Sequence, residues 1–314
     1  MALHLKPVLI VAGPTASGKS SFALSCAEQL NGVVVNADSM QVYDGLHMLT
    51  AHPSEDEKAQ FPHVLYGVLS PDESCSAARW CDMALAEIEK AHQAGQVPIV
   101  TGGTGFYIKS MTEGLSPIPE ISDETRNATI AAFEEMGTEA FSKALATRDP
   151  DIAKRIDMQN RQRLIRAWEV LEATGKSLAY WQNLPKEGAP DDYHFVEVVL
   201  RPDREKLYAR CDERFVWMVE NGALDEVASF AEEINAGRVP ENALLANALG
   251  FWELKEYLDG ARTKEDAIEA SQQRTRRYAK RQSTWFKNQI SDDAIVLETI
   301  KDDSLAEIIN RLQG

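Results

Sequence analysis

The segment Gly13-Pro-Thr-Ala-Ser-Gly-Lys-Ser20 constrains this chain more than any other feature. It fits Gly-x-x-x-x-Gly-Lys-Ser, follows the apolar run 8–11, and precedes a stretch, 20–30, with Ala and Leu at helical spacing. Strand, glycine-rich loop and helix in that order present backbone N–H groups at a helix N-terminus, which makes an anion cradle. Gly13, Pro14, Thr15, Ala16, Ser17, Gly18, Lys19 and Ser20 are therefore expected to grip a polyphosphate or pyrophosphate. In that role Lys19 neutralises charge and Ser20 holds Mg2+.

The rest of the chain extends the alternation. A second β-branched run, 33–35, ends at Asn36, Ala37 and Asp38, and an open parallel sheet would deliver those residues beside the first loop. An amphipathic helix over 77–94, closed by Gly95, leads into the apolar run 97–100 and a second glycine cluster, 101–105. This pattern predicts an α/β fold, a parallel sheet core with helices on both faces. Between 118 and 192 the pattern turns helical, with helices over 123–136, 138–146 and about 160–174. An inserted all-helical domain is expected there, bounded by Pro117, Pro119 and Pro190, inside a core made of 1–117 and 193–314. A strand over 195–200, helices over 205–234, 249–258 and 264–288, a last strand over 294–297 and a closing helix complete the reading.

Composition excludes several classes. An apolar fraction of 44% with 26% charged residues suits a folded protein. No apolar run approaches the roughly 18 to 20 residues that span a bilayer, so no membrane association and a cytoplasmic location are expected. Cys26, Cys75, Cys81 and Cys211 form no Cys-x-x-Cys pair, and the histidines show no metal-ligand spacing, so neither a disulfide framework nor a zinc site is expected. The net charge of −16 argues against nonspecific binding to nucleic acid by the whole surface. A local basic patch is present all the same: Arg274, Arg276, Arg277, Lys280, Arg281 and Lys287 lie in a stretch without Asp or Glu, interleaved with Tyr278, Trp285 and Phe286.

A phosphate loop alone leaves the reaction open. An NTPase of this kind also wants an Asp at the end of a second apolar strand, to organise Mg2+ and water. Here the run 97–100 ends in Thr101-Gly-Gly-Thr104-Gly105 instead. Asp38 ends the other run, and its neighbours Ser39 and Gln41 suit an organic substrate better than a hydrolytic water.

Five segments together resemble the tRNA dimethylallyltransferase family, also called tRNA isopentenyltransferases, in its bacterial type. They are the loop 13–20, Asp38-Ser-Met-Gln-Val-Tyr43, Gly102-Gly-Thr-Gly-Phe-Tyr107, Asn160-Arg-Gln-Arg-Leu-Ile-Arg-Ala-Trp-Glu-Val170 and Arg276-Arg-Tyr-Ala-Lys-Arg-Gln-Ser-Thr-Trp-Phe286. They run in order over nearly the whole chain, and no Cys/His zinc-finger extension follows before Gly314.

The resemblance implies a P-loop NTPase-like core and transfer of a dimethylallyl group from dimethylallyl diphosphate to N6 of the adenosine just 3′ of a tRNA anticodon. It implies the loop 13–20 on the diphosphate with Mg2+ near Ser20, and Asp38 as general base. Ser39, Met40 and Gln41 would hold the flipped base, and Thr104 would orient amine and leaving group. Arg126, Gln162, Arg163, Leu164, Ile165, Arg166 and Arg281 would contact the anticodon stem-loop, and the enzyme would act as a monomer. Two segments depart from the family's pattern. Arg155-Ile-Asp-Met-Gln-Asn160 alters the expected cap before Arg161, and Leu249-Gly-Phe-Trp252 lacks a flanking basic residue.

Other readings stay open from the residues alone: a small-molecule kinase or NTPase, or an isopentenyltransferase acting on free adenine nucleotides. Asp38 also reads as a turn residue, Thr104 as a helix cap, and the arginines of 161–166 as a solvated helix face.

Overall fold

The computed structural model describes residues 5–300 and 304–313. Six parallel strands make a sheet: β1 (Lys6–Ala12), β2 (Gly32–Asn36), β3 (His63–Val64), β4 (Val97–Gly102), β5 (Tyr193–Leu200) and β6 (Ile295–Leu297). Their spatial order is β3-β2-β4-β1-β5-β6. Ala12 of β1 lies opposite Gly102 of β4, and Asn36 of β2 opposite Thr101. The loops after β1, β2 and β4 thus leave the sheet side by side at its carboxyl edge, where open parallel sheets bind ligands.

Because side chains alternate across a strand, each strand feeds two cores. Val8 and Ile10 of β1 enter one, while Leu9 and Val11 enter the other. The helices between β1 and β5 are α1 (Lys19–Leu30), α2 (His47–Thr50), α3 (Glu55–Gln60), α4 (Ala77–Gln93) and α5 (Gly105–Glu113), then α6 to α9 of the insertion. After β5 come α10 (Arg204–Glu220), α11 (Ala223–Asn235), α12 (Phe251–Leu258), α13 (Lys264–Gln289) and, after β6, α14 (Ser304–Gln313). Phe22 and Cys26 of α1, with Ile308 of α14, cover one face of the sheet. Trp80 and Ile88 of α4, Met111 of α5 and Phe215 of α10 cover the other. Side chains cap the helix starts: Ser76 accepts from Arg79 N, Asp203 from Glu205 N, and Thr263 from Asp266 N.

One expectation changes, and three short elements are added. The helix expected over 205–234 is two, α10 and α11, because Gly222 adopts φ 117° and ends the first. The short elements α2, α3 and β3 lie in a stretch too brief for a periodicity signal.

The insertion is a compact unit of its own, Glu113–Ala189, slightly displaced from the 118–192 expected. Its ends are set by a backbone clasp without hydrophobic periodicity: Leu115 N donates to Glu187 O and Glu187 N to Leu115 O, each at 2.9 Å. It holds α6 (Asp123–Arg148), α7 (Pro150–Ala153), α8 (Arg161–Thr174) and α9 (Leu178–Gln182) around Phe133, Phe141, Leu145, Ile152, Leu164 and Val170. Gly137, at φ 71°, kinks α6 where two helices were expected to meet. Asn160 still caps α8, accepting from Arg163 N at 3.1 Å, so the departure at 155–160 leaves the cap in place.

Candidate active site

β1 runs into a loop whose backbone turns through left-handed positions at Ala16 (φ 60°) and Gly18 (φ 92°), after which α1 begins. At Gly18 the backbone angle alone requires glycine, since nothing stands within 4 Å of an added Cβ. Inside the loop Ser17 N donates to Pro14 O at 3.2 Å, and Lys19 Nζ donates to the same carbonyl at 3.3 Å. The Ser17 hydroxyl oxygen is buried without a partner.

A second cation faces this loop. The Arg214 guanidinium, from α10, donates to Thr15 Oγ1. Burial, and then Arg214 beside it, bring the Lys19 ammonium down to about 8 against an opposing pull from Asp38. Burial lowers Arg214 as well. Two partly desolvated cations thus face the loop, with the Asp38 carboxylate partly offsetting their charge.

Asp38 leaves the end of β2 in a tight turn. Its backbone N donates to Asn36 Oδ1 at 2.9 Å, and Asn36 Nδ2 returns a bond to Asp38 O at 3.1 Å. Asn36 is fully buried, its carbonyl taken by Trp80 Nε1, so the turn sits on a fixed base. Asp38 Oδ1 accepts from Met40 N at 3.0 Å. Its second oxygen has no hydrogen bond among the described residues. The turn reading of Asp38 is thus seen in its hydrogen bonds, and one carboxylate oxygen is left over for another partner.

The second glycine cluster packs this turn in place. A Cβ on Gly102 would stand 2.1 Å from Ala37 O, and one on Gly103 would stand 2.2 Å from Gln282 Nε2. The glycines therefore admit protein neighbours rather than ligand. Thr104 Oγ1 accepts from Ser39 N at 2.9 Å and donates to Ser39 Oγ at 3.3 Å, so its hydroxyl secures the residue after Asp38. Gln282 of α13 accepts from Thr15 N and donates to Gly103 O, both at 2.8 Å, tying the two glycine loops together.

These elements enclose a cavity of about 310 Å3. Thr15 of the phosphate loop and Asp38 both line it, together with Met40 and Arg281. Leu49, Phe215 and Met218 supply an apolar wall, and Arg214, Arg274 and Tyr278 a polar one. A neighbouring cavity of about 510 Å3 holds Ser20 and Gln41 and shares Arg214 and Met218 with the first. Gln41 spends its amide on the carbonyls of Thr50 and Ala51, at 2.8 and 2.7 Å, and so anchors α2 instead of facing Asp38. Arg214 carried no sequence signal beyond its type; Asn36 and Gln282 lay in segments the sequence marks, but their hydrogen-bonding roles arise only from tertiary contact.

In the helical unit Gln162 and Arg163 are exposed, as is Arg126. Leu164 and Ile165 are buried in that unit's core, which corrects the expectation of outward contacts for these two. Helical geometry requires the split, since α8 must bury one face. Arg166 pairs with Glu169 at 2.6 Å.

Among the described residues no three His, Cys, Asp or Glu side chains converge as a metal site. The exposed Ser20 hydroxyl, in the first turn of α1, is the donor this loop offers a divalent cation carried by a diphosphate.

Thr15 of the glycine-rich loop, the Asp38 carboxylate, Arg214 and an apolar wall line one cavity, a set that suits a group transferase built on a P-loop-like fold. A family model described as IPP transferase matches residues 41–289. A tRNA dimethylallyltransferase of Paramagnetospirillum magneticum is 49% identical over 98% of this chain and 96% of its own length. One from Rhodospirillum centenum is 49% identical over 91% and 90%. A tRNA isopentenylpyrophosphate transferase from Bacillus halodurans superposes with a TM-score of 0.68 at 31% identity, covering 98% of this chain and 97% of that one. A eukaryotic dimethylallyltransferase solved acting on tRNA gives 0.81 at 28% identity, covering 97% and 77%. The chain belongs to the IPP transferase family.

Proposed function

We propose that this enzyme transfers the dimethylallyl group of dimethylallyl diphosphate to N6 of the adenosine just 3′ of a tRNA anticodon, releasing diphosphate. The observation that supports the reading is the cavity that Thr15 of the glycine-rich loop and Asp38 both line.

The diphosphate lies on the loop 13–20, its charge met by Lys19, Arg214 and the loop N–H groups. The five-carbon chain lies along Met40, Leu49, Phe215 and Met218. A base must leave its stack before its amine can be reached, and unpaired anticodon-loop bases leave most readily. N6 attacks the allylic carbon, the carbon–oxygen bond to diphosphate breaks, and the uncommitted oxygen of Asp38 takes the N6 proton. The leaving group's growing charge falls on groups already fixed in place, which is where such a site gains most. Ser20, with the diphosphate oxygens, would hold Mg2+, which when bound would supply further charge neutralisation. Thr104 keeps the Asp38 turn in register through Ser39. Arg126, Gln162, Arg163, Arg166 and Arg281 meet the RNA, and the working unit is a monomer in the cytoplasm. No helix among the described residues is long and apolar enough to cross a membrane.

The test is transfer of labelled dimethylallyl groups to an anticodon stem-loop, with AMP as a competing acceptor. Label in the stem-loop is expected. Label confined to AMP would move the assignment to free nucleotides, and phosphate release from ATP without label uptake would move it to an NTPase.

A further inference from the structure

Glu169, on α8 of the helical unit, is 5% exposed. A carboxylate taken out of water needs charged partners, and two arginines stand beside it, one of them hydrogen-bonded. Arg166 Nη1 stands 2.6 Å from Oε1, and Arg126 Nε, from α6, stands 3.9 Å from Oε2. Both arginine side chains remain partly open to solvent, 42% and 45% exposed against 7% for Glu169. Arg126 also touches Asp123 at 2.9 Å.

An ordinary surface ion pair exposes both members and contributes little. Here the acid is buried and the cations face outward. Burying that carboxylate is costlier than burying an apolar residue of its size, so stability alone gives no reason for it. A guanidinium offers five donors in a planar fork. For Arg166 the edge hydrogen-bonded to Glu169 leaves the other edge aimed, with much of its rotamer entropy already lost, while Arg126, hydrogen-bonded to Asp123, is drawn towards Glu169 by charge across 3.9 Å.

We propose that Glu169 is a positioning residue: it holds Arg126 and Arg166 as an oriented pair for phosphates of the tRNA substrate. The inference rests on the reading of the enzyme as one that acts on tRNA.

The sign of one substitution tests it. Glu169→Gln removes a negative charge beside an RNA-binding surface, which by long-range electrostatics alone would tighten binding to a polyanion. Positioning gives the opposite result. The dissociation constant for an anticodon stem-loop and the KM for tRNA should rise about 10-fold, the scale of one lost charge-assisted contact. The kcat at saturating tRNA and the KM for dimethylallyl diphosphate should stay within about twofold. In an Arg126→Ala/Arg166→Ala background, Glu169→Gln should add nothing further, because it acts only through those side chains.

Unchanged or tighter RNA binding by the folded Gln variant overturns the proposal, as does full additivity in the double-arginine background. If the Gln variant does not fold, Glu169→Asp, which keeps the charge but shortens the reach, carries the same expectation. Failure of both to fold makes the residue structural and overturns the proposal too. Wild-type protein that binds the stem-loop without prenylating it sinks the functional reading while leaving this test intact. Wild-type protein that does not bind the stem-loop sinks both.

Discussion

Asp38 divides its carboxylate between a turn and the cavity, and the two halves separate by mutation. Asp38→Asn keeps an oxygen for Met40 N but cannot accept a proton, so transfer should fall by about 100-fold or more in single-turnover assays. Diphosphate affinity in a direct binding assay should change little. Lys19 gives a pH signature. Its ammonium is brought down to about 8 in the ligand-free protein, chiefly by burial, so kcat/KM for the diphosphate substrate should decline as pH rises through that value. The linkage to folding has the opposite sign. Between about 8 and the ordinary value of 10.5 the unfolded chain binds the proton that the folded chain has lost, so stability gains with rising pH there. Lys19→Met should raise the thermal midpoint at neutral pH while abolishing diphosphate binding. Lys19 and Asp38 were legible because loop spacing and a strand end announce them. Arg214 was not, being one cation among many on α10 until the fold turns it onto Thr15.

At the scale of elements, α13 holds the site together from behind. Gln282→Ala would leave Thr15 N without its acceptor and Gly103 O without its donor. That loss should lower kcat/KM by about 10-fold or more, with each unmet buried group costing on the order of 1–3 kcal/mol. Gly102→Ala should do worse, since the new Cβ meets the Ala37 backbone directly and must push the Asp38 turn aside. The glycine cluster was visible in the sequence, yet its purpose was not: flexibility for a ligand and room for a neighbouring backbone write the same residue. Strands and long helices were readable from apolar period. The break at Gly222 was missed because its flanks share one helical period and only the φ value parts them.

On the scale of the whole molecule, the chain carries two kinds of core, one on each face of the sheet and another inside the helical unit. Phe141 is fully buried in the latter, so Phe141→Ala should destabilise that unit by about 3–5 kcal/mol, seen as an earlier protease-sensitive transition. The net charge of −16 confines RNA attraction to local arginines, so binding should weaken linearly in logarithmic salt with a slope set by a few phosphates. Charge count could not locate those arginines, because both the basic run 274–287 and the scattered pair on α6 and α8 need the fold to assemble them. The most direct measurement is mass spectrometry of nucleosides from tRNA incubated with the purified enzyme and dimethylallyl diphosphate. One adenosine, beside the anticodon, should carry a five-carbon group on N6 with wild-type protein and none with Asp38→Ala. Unmodified adenosine throughout the wild-type reaction, or equal modification by Asp38→Ala, would contradict the chemistry assigned to this cavity.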